Sequence, residues 1–407
     1  MDELPIGRRV AYWRGRRRLS QQVFADRLGK SKSWVDKVER GVRRLDKFSV
    51  IQEIAEVLQL DVPVLMGHDP VRRPDTVNCI DQVELDEIRA ALERYEPTGP
   101  LHQFSPESPP LAEVRKSVDY AWQTYSHVRY VQLAQMLPQL LRDAQAANAA
   151  YDGDEGRVAA HLLGQVYQIA SSALRKVGEY ELAWHAADRA VAAAQRAGDE
   201  LLVGVATHRI GMALVAGGRN LTALEVTVNA ANQLAIGPGQ DSDKRQSVYG
   251  VLLLQAAMAA ARLGHSATVS DLIAAADVAA AQVGPNQNHY WTSFGPTNVA
   301  FYRAATATEM GEGGRALETN ATITQGEFDA MIPERRAHHL LDLSRALTQV
   351  GAIDKAGETL VEAARMAPAE IRCRPLAHEV MLDVIRRSRG VPPAPVAELA
   401  EQIGVGV

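Results

Sequence analysis

The chain has 407 residues, of which 46% are hydrophobic and 23% are charged, and its net charge is −5. This length allows two or more domains, and the composition is ordinary for a soluble globular protein. No apolar run approaches the ~18 residues of a membrane span, and Met1–Ile6 has no signal-peptide pattern, so we expect a cytoplasmic protein. The two cysteines, Cys79 and Cys373, are far apart and predict no disulfide framework.

The charge is unevenly distributed along the chain. Residues 1–46 contain thirteen Lys or Arg and six Asp or Glu, a net charge of +7, so the remaining residues carry −12. A basic head on an acidic body is typical of a nucleic-acid-binding module attached to a domain that does not bind nucleic acid. A solvated basic surface without a partner would have the same composition.

The basic head is predicted to consist of short helices with recognisable ends. Ser20 and Ser31 are placed to cap the second and third helices, and Gly29 and Gly41 to end them, because glycine readily adopts the left-handed conformation. The predicted helices cover residues 6–17, 21–28, 32–40 and 48–58, and residues 63–66 add a further turn.

The head, residues 1–69, is followed by a linker over residues 70–110. A short amphipathic helix is predicted near residues 83–95, and five prolines then fall within fourteen residues. Proline at this density prevents helix formation and favours an extended linker. Residues 111–407 form the third predicted region, and up to about residue 389 their pattern is almost entirely helical.

This third region is repetitive. A glycine that can end a helix recurs at spacings of 40, 46, 47 and 40 residues, and each is preceded by a small residue seven positions earlier. Such small residues allow two helices to cross closely, so each glycine is predicted to mark the turn of a helical hairpin. The glycines are Gly178, Gly218, Gly264, Gly311 and Gly351. An earlier helix pair is expected over residues 112–149.

Several independent positions of the head carry a resemblance to the XRE (Cro-type) family of helix-turn-helix domains. They are Leu19 to Ala25, Leu28-Gly29, Ser31-Lys32-Ser33, Val35, and Val38 to Gly41. The resemblance implies a five-helix, lambda-repressor-like domain whose third helix enters the major groove of DNA. It departs from the family at Val23, where an acidic residue is common.

This resemblance predicts which head residues contact DNA. Lys32 and Lys37 would donate to guanine, Ser33 would bond a base edge or a phosphate, and Gln21 matches the phosphate-contacting glutamine of the family. Trp34 packs either on a thymine or in the small core, and we expect Glu39 to form a structural ion pair. Asp36 is expected to point away from DNA or to pair with a basic neighbour. Arg14 and its arginine neighbours are expected to be solvated. The predicted DNA contacts are Gln21, Lys32, Ser33, Trp34, Lys37, Arg40, Arg43 and Arg44.

The repeats resemble tetratricopeptide (TPR) repeats, although their spacing exceeds the usual ~34 residues. The chain is therefore predicted to be all-α, with a helix-turn-helix domain followed by a TPR-like α-solenoid. An XRE head on a TPR-like body resembles a group of actinobacterial regulators, and Phe294 to Val299 looks like a segment of that group. The layout is also similar to that of peptide-responsive quorum-sensing regulators.

The concave surface of such a solenoid suits a ligand, and the first helix of each TPR-like pair lines it. Each turn glycine is taken as position fifteen of its repeat. Positions two and five then form a mixed polar and apolar strip, with position nine nearby. Amide side chains there both donate and accept hydrogen bonds, which suits a peptide backbone. The predicted ligand contacts are Gln165, Gln168, His208, Asn298, Phe301, His338 and Arg345. Polar residues on a solvated surface would need no ligand.

No cofactor or metal site is predicted, because the sequence has no phosphate-binding glycine loop and no metal-ligand spacing. His338 and His339 point about 100° apart on a helix and would not share one ion. The interpretation is therefore a homodimeric, non-enzymatic transcription regulator that binds a palindromic operator in double-stranded DNA. A small molecule or a peptide in the concave face would gate it. The alternative is a DNA-localised adaptor whose repeats dock a partner protein, and an enzyme hidden in the helical body is a weaker third hypothesis.

Overall fold

The computed structural model describes residues 6–16, 19–43, 45, 48–58, 80, 82–94, 109–235, 242–285, 287–388 and 392–404. Within these ranges the regular structure is helical and no strand occurs, which confirms the all-α prediction. The chain divides into two compact units, Met1–Thr76 and Val77–Val407. Of the helices in the described ranges, none combines the length and the apolar character that crossing a membrane requires.

The first unit contains four described helices at the predicted places: α1 (Ile6–Arg16), α2 (Gln21–Arg27), α3 (Lys32–Glu39) and α4 (Phe48–Leu58). The hydroxyls of Ser20 and Ser31 cap α2 and α3 by accepting from backbone amides three residues on, at 3.2 and 3.1 Å. Gly29 and Gly41 have φ of +61° and +75°, so each adopts the left-handed conformation after its helix. The further turn predicted at residues 63–66 lies outside the described residues.

The four helices enclose a small core of their own. Val10, Phe24, Val35 and Ile54, one from each helix, are fully buried in it. Helix α1 approaches α3 closely at Gly7, where a Cβ atom would lie 2.0 Å from a backbone oxygen of α3. Apolar residues at helical spacing and one small residue at the crossing therefore determine how this unit packs.

The second unit begins with α5 (Gln82–Leu92) and continues as an array of helical hairpins. The hairpins pair α6 (Leu111–Ser126) with α7 (Tyr130–Ala150), α8 (Gly153–Lys176) with α9 (Tyr180–Ala197), α10 (Glu200–Ala216) with α11 (Asn220–Ala235), α12 (Ser242–Arg262) with α13 (Ser266–Val283), α14 (Pro296–Glu309) with α15 (Gly313–Ala321), and α17 (Pro333–Gln349) with α18 (Ile353–Met366). A 3₁₀ turn (His289–Trp291) precedes α14, and the short α16 (Gln325–Asp329) precedes α17. After α18 come α19 (Pro368–Arg372), α20 (Pro375–Arg387) and α21 (Ala394–Gln402).

The turn glycines define the repeat as predicted. Each of the five lies between the two helices of a hairpin with φ between +76° and +90°. The first hairpin has no glycine at its turn, and Val128 adopts φ +61° there. A β-branched residue is strained in this conformation, so tertiary packing of the buried Val128 side chain holds the turn.

Helix α5, predicted as part of a linker, packs against the array. Ile88 and Leu92 are buried in the same apolar cluster as the first hairpins, and the Gln145 amide donates to the backbone oxygen of Ala91 at 3.0 Å. The side chains of Arg89 and Glu179 form an ion pair at 3.3 Å. The compact second unit therefore includes this helix.

The two ends of the array meet. Ala337, Ala369 and Cys373, from its last third, belong to the apolar cluster that also contains α6 to α9. The buried Lys176 ammonium of α8 contacts Glu334 of α17. The array thus closes on itself. Cys373 is buried and disulfide-bonded, so the expectation that the cysteines form no disulfide is wrong.

Candidate DNA-binding surface and array cavity

Helix α3 presents the predicted recognition residues on one face. The side chains on this face are exposed, whereas Val35 and Val38 on the opposite face are buried. A helix that stands on its apolar face and leaves cationic side chains outward can enter a major groove without unfolding. The exposed residues are Lys32, Ser33, Lys37 and Arg40, and Arg43 is exposed just beyond the helix.

Glu39 connects three helices of the head. Arg14 donates to both of its oxygens, at 2.5 and 3.1 Å, and also to the backbone oxygen of Leu19 at 2.6 Å. The Gln21 amide donates to Glu39 at 2.7 Å. The structural ion pair expected for Glu39 is confirmed, but Arg14 is paired and half-buried rather than solvated. Gln21, the predicted phosphate contact, is held by this network at the start of α2.

Two further head residues have partners that bear on their predicted roles. Trp34 is half-buried against the core, and the Arg43 guanidinium lies 5.8 Å from the centre of its ring. Asp36 pairs with Arg40 at 2.7 Å, which agrees with the expectation that it pairs with a basic neighbour. Arg44 lies outside the described residues.

The concave side of the array contains a cavity of about 230 Å³. Its walls come from α8 to α10, α12, α14, α17 and α20, so the first helices of five successive hairpins contribute. This agrees with the predicted use of the first helices. The cavity is partly open to solvent, and it is called the chamber below.

Three of the seven predicted ligand residues line this cavity. They are Asn298, Phe301 and His338. Arg345 lies behind the wall, where its guanidinium donates to Glu309 at 2.9 Å and Asp342 at 3.4 Å, both of which line the cavity.

The other three predicted ligand residues do not line the cavity. Gln165 accepts a hydrogen bond from the Trp122 indole at 3.1 Å. Gln168 and His208 are buried, and neither the Gln168 amide nitrogen nor either His208 ring nitrogen has a hydrogen-bond partner. The sequence pattern therefore selected helices that line the cavity, but only three of its seven side chains reach it.

In three of the five repeats, a position one residue later than predicted also lines the cavity. The residue nine before the turn glycine, one after predicted position five, is polar in four of the five repeats. Gln255, Tyr302 and Asp342 at this position line the cavity, whereas Leu254 and Leu341, which precede two of them, are buried in the apolar clusters. This polar recurrence was a signal in the sequence that could have identified them.

Buried charges surround the cavity, and the sequence analysis did not anticipate them. Lys176 contacts Glu334 at 2.5 Å and also Glu370, which accepts from Arg374 at 2.9 Å. Burial lowers the pKa of the Lys176 ammonium to about 8, so it remains mostly charged at neutral pH. Glu334, His338 and Glu370 lie close enough to one another to hold a metal ion, but the two carboxylates already pair with Lys176, Arg335 and Arg374.

Two histidines in the wall are held neutral. His339 stacks on Phe301 with ring centroids 4.0 Å apart, and burial lowers its pKa to about 4. Burial, then the neighbouring Arg374, holds the pKa of His338 well below its ordinary value. His338 therefore accepts a hydrogen bond from Arg374 at 2.9 Å.

The segment before α14 enters the array interior in a strained conformation. Tyr290, Trp291 and Ser293 all have positive φ, of 50° to 57°. Trp291 stacks on Trp122 with ring centroids 5.7 Å apart, and Arg209 donates to the Trp291 backbone oxygen at 3.5 Å. Strain of this kind persists only where packing compensates for it, and here the aromatic stack does so.

Comparison with known proteins identifies the first unit. Residues 5–66 match the family model of the helix-turn-helix domain. The N-terminal unit is therefore a helix-turn-helix domain, as the sequence motif predicted, and it supports the interpretation of the chain as a DNA-binding transcriptional regulator. No curated protein matches the sequence.

A solved structure that matches part of the chain is the crystal structure of Bacillus thuringiensis PlcR in complex with the peptide PapR7 and DNA. It is 13% identical, and the similarity covers 68% of this chain and 95% of that one, with a TM-score of 0.26. A TM-score this low does not establish a common fold, and the peptide and the DNA are ligands of PlcR.

Proposed function

We propose that this chain is a sequence-specific transcription regulator whose DNA binding responds to a small ligand held inside the array. The observation that carries the proposal is the pairing of two separate features. One is the exposed cationic face of α3 in a helix-turn-helix domain. The other is the chamber enclosed by the hairpins of the second unit.

The dimensions of the chamber favour a small molecule over an extended peptide. At about 230 Å³ it is smaller than the ~300–1,000 Å³ typical of drug-sized ligands. Since a water molecule occupies ~30 Å³ of liquid, the chamber has room for a ligand of roughly eight to twelve heavy atoms. The adaptor alternative would place a longer segment of a partner protein on the concave surface, and the contact between the two ends of the array leaves less room for such a segment.

A ligand can change DNA affinity only if it binds one arrangement of the protein more tightly than another. We propose a homodimer on a palindromic operator, because the two-fold symmetry of helix-turn-helix dimers is matched by half-sites ~34 Å apart or multiples of that. A ligand that favours one spacing of the two heads would then change operator affinity. The dimer interface is proposed to lie in the array.

Selection from a randomised duplex pool tests the DNA-binding part, with wild type compared with Lys37→Glu. We expect wild type to enrich a palindrome and Lys37→Glu to lose that enrichment, because the reversed charge would face phosphates and base edges. Lys116→Glu, at an exposed position in α6, makes the same charge change outside the head and should enrich the wild-type sequence. Equal enrichment by wild type and Lys37→Glu would contradict recognition through α3.

The enriched duplex then serves as the probe for gating. We expect a ligand of the chamber to change operator affinity at least fivefold in wild type, as measured by fluorescence anisotropy. An operator affinity that stays constant whenever the chamber is occupied would refute the ligand-gated mechanism while leaving DNA recognition intact.

A further inference from the structure

The buried charges around the chamber do not balance. Among the described residues of the array, the almost fully buried charged side chains are five cations and three anions: Arg175, Lys176, Arg209, Arg335 and Arg374 against Glu334, Asp342 and Glu370. A buried charge without a counterion is costly, so an excess of cations requires an explanation.

Three of these cations have carboxylate partners. Lys176 lies between Glu334 and Glu370, Arg335 pairs with Glu334 at 3.1 Å, and Arg374 with Glu370. The remaining acid, Asp342, pairs with Arg345. Each of the three buried acids in the described array is thereby engaged, and none of them pairs with Arg175 or Arg209.

Arg175 is the buried cation at the chamber wall that forms no ion pair. It is 9% exposed, it lines the chamber, and its buried Nη2 atom has no hydrogen-bond partner. Arg209 is enclosed elsewhere, since it contacts the Met212 sulfur, the Trp291 oxygen and the face of Trp122. Arg175 therefore presents a charge without an ion-pair partner to the chamber.

The rest of the wall restricts what that occupant can be. Met212, Met258 and Phe301 form an apolar portion, and the Asn298 side-chain oxygen is a buried acceptor without a partner. The charged residues that also line the space are Arg262, Glu309, Arg335, Asp342, Arg374 and Glu379. The three further arginines are already paired with acids, so one guanidinium without an ion pair remains, and it matches a single carboxylate better than a doubly charged phosphate.

We propose that the chamber binds a small monocarboxylate with an apolar body and a hydrogen-bond donor. Arg175 holds the carboxylate, Asn298 accepts from the donor, and the methionines and Phe301 cover the apolar part. This inference rests on the proposed function for its biological meaning, but binding can be measured without DNA.

Calorimetric titration of the full chain tests the ligand class with 8-hydroxyoctanoate and 3-(4-hydroxyphenyl)propanoate, which carry a hydroxyl donor and whose 11 and 12 heavy atoms match the ~8–12 expected from the chamber volume. The corresponding primary amides, which keep the hydroxyl donor, are the neutral counterparts. We expect the carboxylates to bind at least tenfold more tightly than the amides. Amides that bind as tightly as the carboxylates, or carboxylates that fail to bind at millimolar concentration, would overturn the proposal.

Substitution of Arg175 separates a ligand-binding role from a structural one. We expect Arg175→Met to weaken carboxylate binding at least tenfold and to leave the weaker binding of the amides unchanged, because only the carboxylates use the guanidinium charge. Arg157→Met, at an exposed position on the same helix, should change neither. Unchanged carboxylate binding in Arg175→Met, or an equal loss of carboxylate and amide binding, would show that Arg175 is not the carboxylate site.

The two proposals fail in different ways. Carboxylate binding without any change in operator affinity would leave the ligand assignment standing and refute gating. A change in operator affinity caused by the amides but not by the carboxylates would refute the carboxylate assignment and leave gating intact.

Discussion

At the scale of single residues, charged side chains that the sequence pattern would place in solvent carry much of the tertiary structure. Arg14 and Glu39 connect the helices of the head, and Lys176 joins the ends of the array. Exposed ion pairs contribute little to stability, but removing one partner of a buried ion pair strongly destabilises the fold. These few side chains therefore have larger effects than their number suggests.

Glu309 allows the contribution of such a charge to stability to be tested through the pH dependence of unfolding. Burial would raise its pKa, but Arg345 and Arg262 together hold the pKa below its ordinary value of 4.5. The ionised carboxylate thus stabilises the fold above about pH 4.5, and this contribution is lost as the pH falls through the lowered pKa. We expect Glu309→Gln to lower the free energy of unfolding by about 1–2 kcal/mol at pH 7 and by much less near pH 3.

Urea unfolding at the two pH values measures this difference. Glu362→Gln, an exposed acid on α18, is the matched control and should cost little at either pH. If Glu309→Gln lowered the free energy of unfolding as much at pH 3 as at pH 7, the result would be inconsistent with a stabilising carboxylate.

At the scale of elements, glycine has two different uses in the array. The turn glycines supply left-handed backbone, whereas Gly250 in α12 supplies space. A Cβ atom at Gly250 would lie 1.9 Å from the ring of the buried Phe294. The absence of a side chain in α12 therefore positions the segment that leads into α14.

The contrast between two helical glycines tests this use of space. We expect Gly250→Ala to lower the free energy of unfolding by about 2 kcal/mol, because overpacking costs ~1–3 kcal/mol. Gly314→Ala in α15 meets no atom within 4 Å and should be neutral or stabilising by up to ~1 kcal/mol. Thermal unfolding of both variants tests this expectation, and equal changes in melting temperature would contradict the packing argument.

At the scale of the whole molecule, closure of the array is the feature that converts a concave surface into a chamber. Lys176 and Glu334 are separated by 158 positions in the chain, yet their side chains are in contact and fully buried. Tyr125 and Tyr130 of the first hairpin also donate to Glu334 and Glu370, at 3.5 and 2.6 Å. A single buried cluster therefore holds the two ends together.

Substitution of Lys176 should separate the two ends of the array. We expect Lys176→Met to lower the free energy of unfolding by about 3–5 kcal/mol, because two buried carboxylates lose their shared cation. Tryptophan emission should also shift, since Trp122 lies next to Tyr125 in this region. Lys116→Met, at an exposed position, is the control. An unchanged urea midpoint in Lys176→Met would mean that the cluster does not hold the array closed.

Features that depend on a few neighbouring residues could be predicted from the sequence. Serine caps, turn glycines and apolar spacing correctly predicted the described helices of the head, the hairpin repeat and the exposed face of α3. These signals are local, because a cap or a left-handed turn is specified within about four residues. The motif at residues 19–41 identified the helix-turn-helix domain for the same reason.

Contacts between distant parts of the chain determine which polar side chains are buried and which groups they contact. The pattern placed Asn298, Phe301 and His338 at the cavity but missed Arg175, because a long cationic side chain near a helix end is normally solvated. Its burial depends on helices far away in sequence that close the array around it. The ligand chemistry of the chamber follows from that closure and could not be obtained from any single repeat.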